Sequence, residues 1–253
     1  MIEEAQEIFK YLPLTHQSPS EQEYLEFLWE AFRVNYEQEK FPFAFLAYHM
    51  IFMCFVYYEI WQIKETRYDD FQKAMIGFNK DIENDLLQKA SPFTLSCINE
   101  SVAFRFLKLI GLENSDIGCF TKIVKNRNDL AHSNGIIFYS TITELDNAII
   151  EIISCVQKIQ EKTKDIVELV YLNFLKDSIN KDDREYFNPE DQLREVLVRK
   201  YRLSEKDIEI ALKCSLEQLS ADGNYSDILS LSDSLRLSYG ELLYGWKKAI
   251  RKI

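Results

Sequence analysis

The sequence predicts an all-α protein, on three observations. The 253 residues include only seven glycines and five prolines, fewer than a turn-rich β protein of this length needs. The composition is 47% hydrophobic and 28% charged, which favours a packed globular core over disorder. Helix start and stop signals bound segments of helical length, as where Ser91-Pro92 opens a segment that Gly111 closes. The length allows one large domain, or a core domain with a smaller appendage.

Capping patterns set the expected helix boundaries in chain order. After a loop that begins at Leu12-Pro13, Ser20 with Glu23 resembles a capping box and opens the first helix. Ser115 is the expected N-cap of the fifth helix, and Gly135 is its expected left-handed C-cap. The predicted helices of this part of the chain cover about residues 20–36, 41–64, 69–88, 92–109, 115–133 and 143–179.

The second predicted helix contains the most apolar stretch of the chain. Residues 43–58 carry no formal charge over sixteen positions. A membrane span usually needs about twenty apolar residues, and this run is shorter and contains His49 and three tyrosines. We therefore interpret it as a central core or dimer-interface helix rather than a membrane helix. His49, which lies among aromatic residues, is interpreted as a core residue.

The polar stretch 180-NKDDREYFNPED-191 is the predicted linker. It divides the chain into a helical bundle with an N-terminal helical extension, residues 1–179, and a C-terminal helical subdomain, residues 190–253. A short helix to about Lys200 is expected after the linker. The helices expected to follow it cover residues 204–219 and the stretch from 224 to the C-terminus.

The charge of the chain is negative but uneven. The net charge is -11 and the pI about 4.9, which argues against a protein that coats itself with nucleic acid. Residues 1–40 carry nine acidic and three basic side chains, a net of -6. Residues 103–128 carry five basic and two acidic side chains, a net of +3. A basic island of this kind is compatible with a phosphate-bearing ligand at one site, and equally with a solvated helix face.

The five cysteines predict buried free thiols. They are odd in number, widely spaced and mostly within apolar runs, and they form no CxxC or Cys/His zinc pattern. We therefore expect a reducing cytosol, no metal and no cofactor. The acidic opening Met1-Ile2-Glu3-Glu4 has no secretory signal character, so the expected location is cytoplasmic.

The stretch 125-KNRNDLAHSNG-135 is the most polar, tightly spaced cluster in its part of the chain. The apolar face of the fifth helix is predicted to run through Ile117, Phe120 and Val124, at steps of three and four residues. Position 127 continues that face, yet it is Arg127. A charged group on a buried face needs either a partner or an opening to water.

His132 follows Arg127 by five positions, roughly 140° around an ideal helix. The long arginine side chain and the fraying helix end allow the two functional groups to border one cleft. Asn128 lies four positions before His132, on a neighbouring face.

An arginine, a polar residue, three further residues and a histidine near a helix end resemble the RX4–6H motif of HEPN domains. The predicted bundle with an apolar helix upstream and a long helix downstream, over residues 41–179, is similar in architecture.

This resemblance implies a metal-independent endoribonuclease, and a toxin or antiviral-defence effector. HEPN proteins usually dimerise so that two motifs face one cleft, which implies a homodimer. The resemblance also implies an RNA substrate, and an antitoxin or defence-system protein as a further partner.

RNA supplies its own nucleophile, the 2′-OH. His132 would supply the imidazole that commonly transfers protons in such reactions, and Arg127 would bind phosphate through two guanidinium donors. Asn128 orients His132 or binds a phosphate oxygen.

Other residues enter the predicted site as supporting groups. Lys122 and Lys125 are the expected substrate-binding cations, and Glu59 is the expected carboxylate partner of Arg127. A structural alternative remains open, in which Arg127 only pairs with Glu59 or Glu100 and His132 only caps the helix.

The function of that alternative is a catalytically inactive helical module that binds a protein partner. A third possibility, DNA binding through the C-terminal helices, is weak because residues 161–253 carry eighteen acidic and sixteen basic side chains without a concentrated basic helix.

Overall fold

The chain is all-α, as predicted. In the computed structural model the described residues are 2–132, 137–180, 182, 184–220 and 225–244, and no strand occurs among them. The α-helices are α1 (Ile2–Gln6), α2 (Pro19–Glu37), α3 (Phe41–Thr66), α4 (Tyr68–Ala74), α5 (Lys80–Gln88), α6 (Glu100–Ala103), α7 (Asn114–Ala131), α8 (Ile142–Asp177), α9 (Pro189–Gln192), α10 (Glu205–Lys213) and α11 (Tyr225–Tyr244). Shorter 3₁₀ segments cover Glu7–Tyr11, Pro92–Cys97, Phe104–Ile110 and Glu217–Leu219, and a π-helical segment covers Leu193–Arg199.

Two compact units divide the chain. Unit 1 comprises Met1–Phe9 and Ser18–Thr163, and unit 2 comprises Lys10–Gln17 and Lys164–Ile253. The division therefore falls inside α8 and differs from the predicted linker at residues 180–191. The reason is that the C-terminal part of α8 contributes apolar side chains to the core of unit 2. The chain therefore leaves the core of unit 1 and enters the core of unit 2 before α8 ends.

Helix α3 is the central helix of unit 1. Of its 26 residues, 20 are buried, because apolar side chains occupy every side of the helix. By length and composition α3 could cross a membrane, but 78% of its most apolar window is buried inside the protein. This is the environment of a core helix, which supports the core interpretation of residues 43–58.

Two predicted helices are broken, and asparagine caps explain the breaks. The segment 69–88 forms α4 and α5, because the Asn79 side chain accepts a hydrogen bond from the backbone N–H of Ile82 and starts a new helix. The segment 92–109 forms two 3₁₀ segments and α6, because Asn99 caps the N–H of Ser101 in the same way.

Other boundary predictions need smaller corrections. The N-cap of α2 is Ser18, with Pro19 at the first helical position, so the capping box predicted from Ser20 is wrong. The N-cap of α7 is Glu113 rather than Ser115, and Asp116 completes a capping box there. The predicted cap Gly135 and the tail 245–253 lie outside the described residues.

Unit 2 has its own core of apolar side chains from α8, the π-helical segment, α10 and α11. Ser204 caps α10 through a reciprocal box with Asp207, at the boundary that the sequence predicts. Arg202, just before this cap, is buried at 1% exposure with a positive φ of 55°.

Candidate functional site

Helix α7 brings Arg127 to the edge of the core of unit 1. Phe120 and Val124 are buried at 1% and 3% exposure, and they lie on the predicted apolar face. The side chain of Arg127 is 29% exposed, and Ala131, one turn further, is exposed. The buried face therefore ends at Arg127, where the guanidinium reaches both a half-buried partner and solvent.

The partner of Arg127 is Glu100, the half-buried first residue of α6. The Nη2 atom of Arg127 lies 2.5 Å from Oε1 of Glu100, whose side chain is 19% exposed. The prediction that Glu59 supplies this carboxylate is wrong, since the ion pair is made by Glu100. Glu59 is instead a buried residue of α3, at 1% exposure. The structural alternative named Glu100 as one of two carboxylates that could pair with Arg127. The ion pair with Glu100 confirms that part of it.

The second oxygen of Glu100 contacts His49, which the sequence placed in the core. Nε2 of His49 lies 3.0 Å from Oε2 of Glu100, and His49 is 1% exposed. Because an ionised carboxylate only accepts, Nε2–H of His49 donates to it. Nδ1 of His49 is buried and has no hydrogen-bond partner within the part of the chain that the structure describes. We refer to His49, Glu100 and Arg127 as the carboxylate triad.

The carboxylate triad holds Glu100 in its ionised form. Burial alone would raise the pKa of Glu100, but the hydrogen bonds from His49 and from Arg127 outweigh it and lower the pKa from the ordinary 4.5 to about 2. Tyr57 lies within reach of the same charges: burial, followed by the negative charge of Glu100, raises its pKa. The site thus has a fixed negative charge beneath the arginine.

His132 ends α7. Its φ of -93° and ψ of 143° are extended, and its backbone N–H donates to the carbonyl of Asn128 at 3.1 Å. His132 is exposed and Asn128 is half-buried. His132 is therefore the C-cap residue of α7. The structural alternative predicts this helix-end position, and so does the motif of the predicted site. Since His132 has left helical geometry, the 140° separation of an ideal helix does not fix its distance from Arg127.

The two predicted substrate-binding lysines differ. Lys122 lies 3.6 Å from a carboxylate oxygen of Glu151 on α8, with its side chain 66% exposed. Lys125 is exposed and makes no ion pair with any residue in the described ranges. Of the two, Lys125 is therefore the one with an unneutralised charge beside the motif.

Sequence reasoning missed one neighbour of the motif. Tyr139, in the loop between α7 and α8, has a positive φ of 53° and stacks on Phe45 with ring centroids 4.1 Å apart. It also shares a hydrogen bond with the side chain of Asn126, the residue before Arg127, while burial raises its pKa. The loop is thereby attached both to α3 and to the last turns of α7. Asn126 belongs to the polar cluster, but no pattern around Tyr139 marks this contact.

No group of three His, Cys, Asp or Glu side chains that could hold a metal ion occurs among the residues that the structure describes. In comparisons with known proteins, no family model, no curated protein and no solved structure matches this chain. The functional assignment therefore depends on the geometry of the site and on the resemblance of its motif.

Proposed function

We propose that the protein is a metal-independent endoribonuclease of the HEPN type, with Arg127 and His132 as catalytic residues. The observation that carries the proposal is that Arg127 is held by a carboxylate and is still partly exposed to solvent. Glu100 holds its guanidinium at 2.5 Å, while 29% of the side chain remains exposed, and the exposed His132 ends the same helix five residues later. Such an arginine is fixed in position and still has donors free for a phosphate.

Each residue has a role in cleavage by the 2′-OH. Arg127 stabilises the negative charge that develops on the phosphorane oxygens. His132 accepts the 2′-OH proton or protonates the leaving 5′-oxygen. Asn128 orients His132 or contacts a phosphate oxygen, and Lys125 attracts the RNA backbone. Glu100 touches neither RNA nor the reacting atoms, so it is a positioning residue for Arg127.

The proposal includes a homodimer. One motif contributes one histidine, whereas cleavage needs both a proton acceptor and a proton donor, and a second protomer would supply the other. The wider role, a cytoplasmic toxin or antiviral-defence effector with an antitoxin or defence-system partner, comes from the resemblance of the motif to HEPN proteins.

The products of the reaction test this mechanism. We expect cleavage of a synthetic RNA in excess EDTA to leave 2′,3′-cyclic phosphate and 5′-OH ends, because the 2′-OH is the nucleophile. Mass spectrometry of the fragments distinguishes these ends from others. An RNA with a single 2′-deoxy substitution at the cleavage position is the matched control, and it should stay intact at that bond. Fragments with 3′-OH ends, or a strict requirement for Mg²⁺, would refute the mechanism.

A second candidate function is the catalytically inactive helical interaction module. The specific observation in its favour is that Arg127 pairs with Glu100 and His132 ends α7, which a purely structural arginine and histidine would also do. Under this hypothesis, substitutions of Arg127 and His132 change stability alone. Under the ribonuclease proposal, the exposed His132 is dispensable for stability and required for cleavage.

A further inference from the structure

A surface groove of unit 1 is lined by residues that do not belong to the carboxylate triad. The groove, of about 390 Å³, opens between the loop that joins α4 to α5 and the 3₁₀ segment Phe104–Ile110. Its walls include Ile76, Phe78 and Arg105, and we call it the Arg105 groove. None of these three residues belongs to the predicted ribonuclease site.

A column of aromatic rings leads from the core to the Arg105 groove. The rings of Phe71 and Phe106 stack with centroids 4.6 Å apart and planes 20° apart. The ring of Phe78 stacks on Phe106 at 6.1 Å and 10°. Phe71 and Phe106 are buried at 1% and 2% exposure, whereas Phe78 is half-buried. The column therefore ends on the half-buried ring of Phe78, which lines the groove and is the type of side chain on which a planar group stacks.

The loop beside Phe78 leaves room for such a group. Gly77 has a φ of 101°, a conformation that disfavours other residues, and an added Cβ there would meet nothing within 4 Å. Ile76, the residue before it, is 87% exposed. The groove thus has an apolar edge and an open approach, both next to the last ring of the column.

Arg105 gives the groove a positive charge without a counter-charge. Of the four arginines in unit 1, Arg33, Arg67 and Arg127 each form an ion pair with a carboxylate. Arg105 is exposed and forms no ion pair or hydrogen bond with any residue in the described part of the chain. The guanidinium of Arg105 is therefore available to an anionic ligand.

We propose that the Arg105 groove binds one nucleotide of a single-stranded RNA, with the base stacked on Phe78 and the phosphate held by Arg105. This inference rests on the proposed ribonuclease function and adds a substrate subsite to it. A planar base next to an anion is the chemistry that an exposed aromatic ring and a free guanidinium recognise together. Unpaired bases are required, because a duplex keeps its bases stacked on one another.

The position along the chain suits a substrate path. Arg105 follows Glu100 by five residues in consecutive helical segments, a rise of roughly 8–10 Å. An RNA strand that reaches Arg127 above Glu100 therefore needs only a few nucleotides to reach Arg105. The groove would select single-stranded substrate and add affinity without contributing to the chemistry.

Binding, measured apart from cleavage, tests the subsite. The full-length His132→Ala protein is titrated into a fluorescent single-stranded 12-nucleotide RNA, and anisotropy gives Kd. Adding Phe78→Leu, which keeps apolar bulk but removes the ring, should weaken binding about tenfold. Adding Arg105→Ala should weaken it similarly and reduce the salt dependence by about one phosphate contact. The control Arg33→Ala, which also removes one arginine from unit 1, should change Kd less than about twofold.

The outcomes separate this inference from the ribonuclease proposal. If Arg105→Ala and Phe78→Leu bind RNA as Arg33→Ala does, with folding confirmed by thermal unfolding, the subsite is refuted even where wild type cleaves RNA. If both substitutions weaken binding and wild type does not cleave, the subsite stands and the catalytic proposal fails. AMP is the probe for a free-nucleotide ligand: tighter binding of AMP than of the 12-nucleotide RNA would overturn RNA as the occupant.

Discussion

Replacing Arg127 by lysine is expected to slow RNA cleavage by about 100- to 1,000-fold. Lysine keeps a positive charge opposite Glu100, so the carboxylate is not left unpaired. It lacks the planar set of donors that binds Glu100 on one side and a phosphate on the other. Single-turnover rates at saturating enzyme isolate this effect on the chemical step from any change in RNA affinity.

Arg33→Lys is the matched control for this experiment. Arg33 also forms carboxylate ion pairs, with Glu30 at 2.9 Å and Glu37 at 2.7 Å, but these lie on the exposed face of α2. The control should cleave RNA at the wild-type rate. Equal rates for Arg127→Lys, Arg33→Lys and wild type would remove Arg127 from the mechanism and favour the interaction module.

Replacing Glu100 by glutamine is expected to lower both stability and activity. The neutral amide loses the charge that holds Arg127 and places an additional donor opposite His49. The pKa of Glu100, lowered from 4.5 to about 2, corresponds to about 3 kcal/mol of stabilisation at neutral pH. Urea unfolding at pH 7 should therefore show the variant to be less stable by about 1–3 kcal/mol.

The lowered pKa of Glu100 also predicts how the stability difference between wild type and Glu100→Gln changes with pH. A folded-state pKa below the unfolded value means that the stabilisation is complete above about pH 4.5 and is lost as the pH falls towards 2. The difference between wild type and Glu100→Gln should therefore be largest at neutral pH and shrink from pH 5 to pH 3. Glu37→Gln, at an exposed ion pair, is the control and should cost less than about 1 kcal/mol. A difference between wild type and Glu100→Gln that stays constant with pH would show that the carboxylate triad does not act through the charge of Glu100.

The sequence predicted the fold class and the long helices because their signals are local and repeated. The absence of formal charge in residues 43–58 marked α3 as a core helix, and 20 of its 26 residues are buried. The broken helices were missed because Asn79 and Asn99 were not recognised as internal caps. The unit boundary inside α8 has no local signal, since the helix continues while its buried face moves from one core to another.

The candidate site was predictable in part. An arginine on an apolar helical face requires a partner, and that argument located Arg127 at the edge of the core. The choice between Glu59 and Glu100 depends on how α6 packs against α7, which no sequence spacing reveals. The contact of His49 with Glu100 joins residues 51 positions apart, so helical periodicity carried no information about it.

The most direct test of the central claim is cleavage of total cellular RNA by purified protein in EDTA, with wild type beside His132→Ala. His132 is exposed, so its replacement should leave thermal stability unchanged, and removal of a proton-transfer group should slow cleavage by about 100- to 10,000-fold. Cleavage by wild type that falls by this factor in the variant is the predicted result. Equal cleavage by the two proteins would contradict a site built on Arg127 and His132.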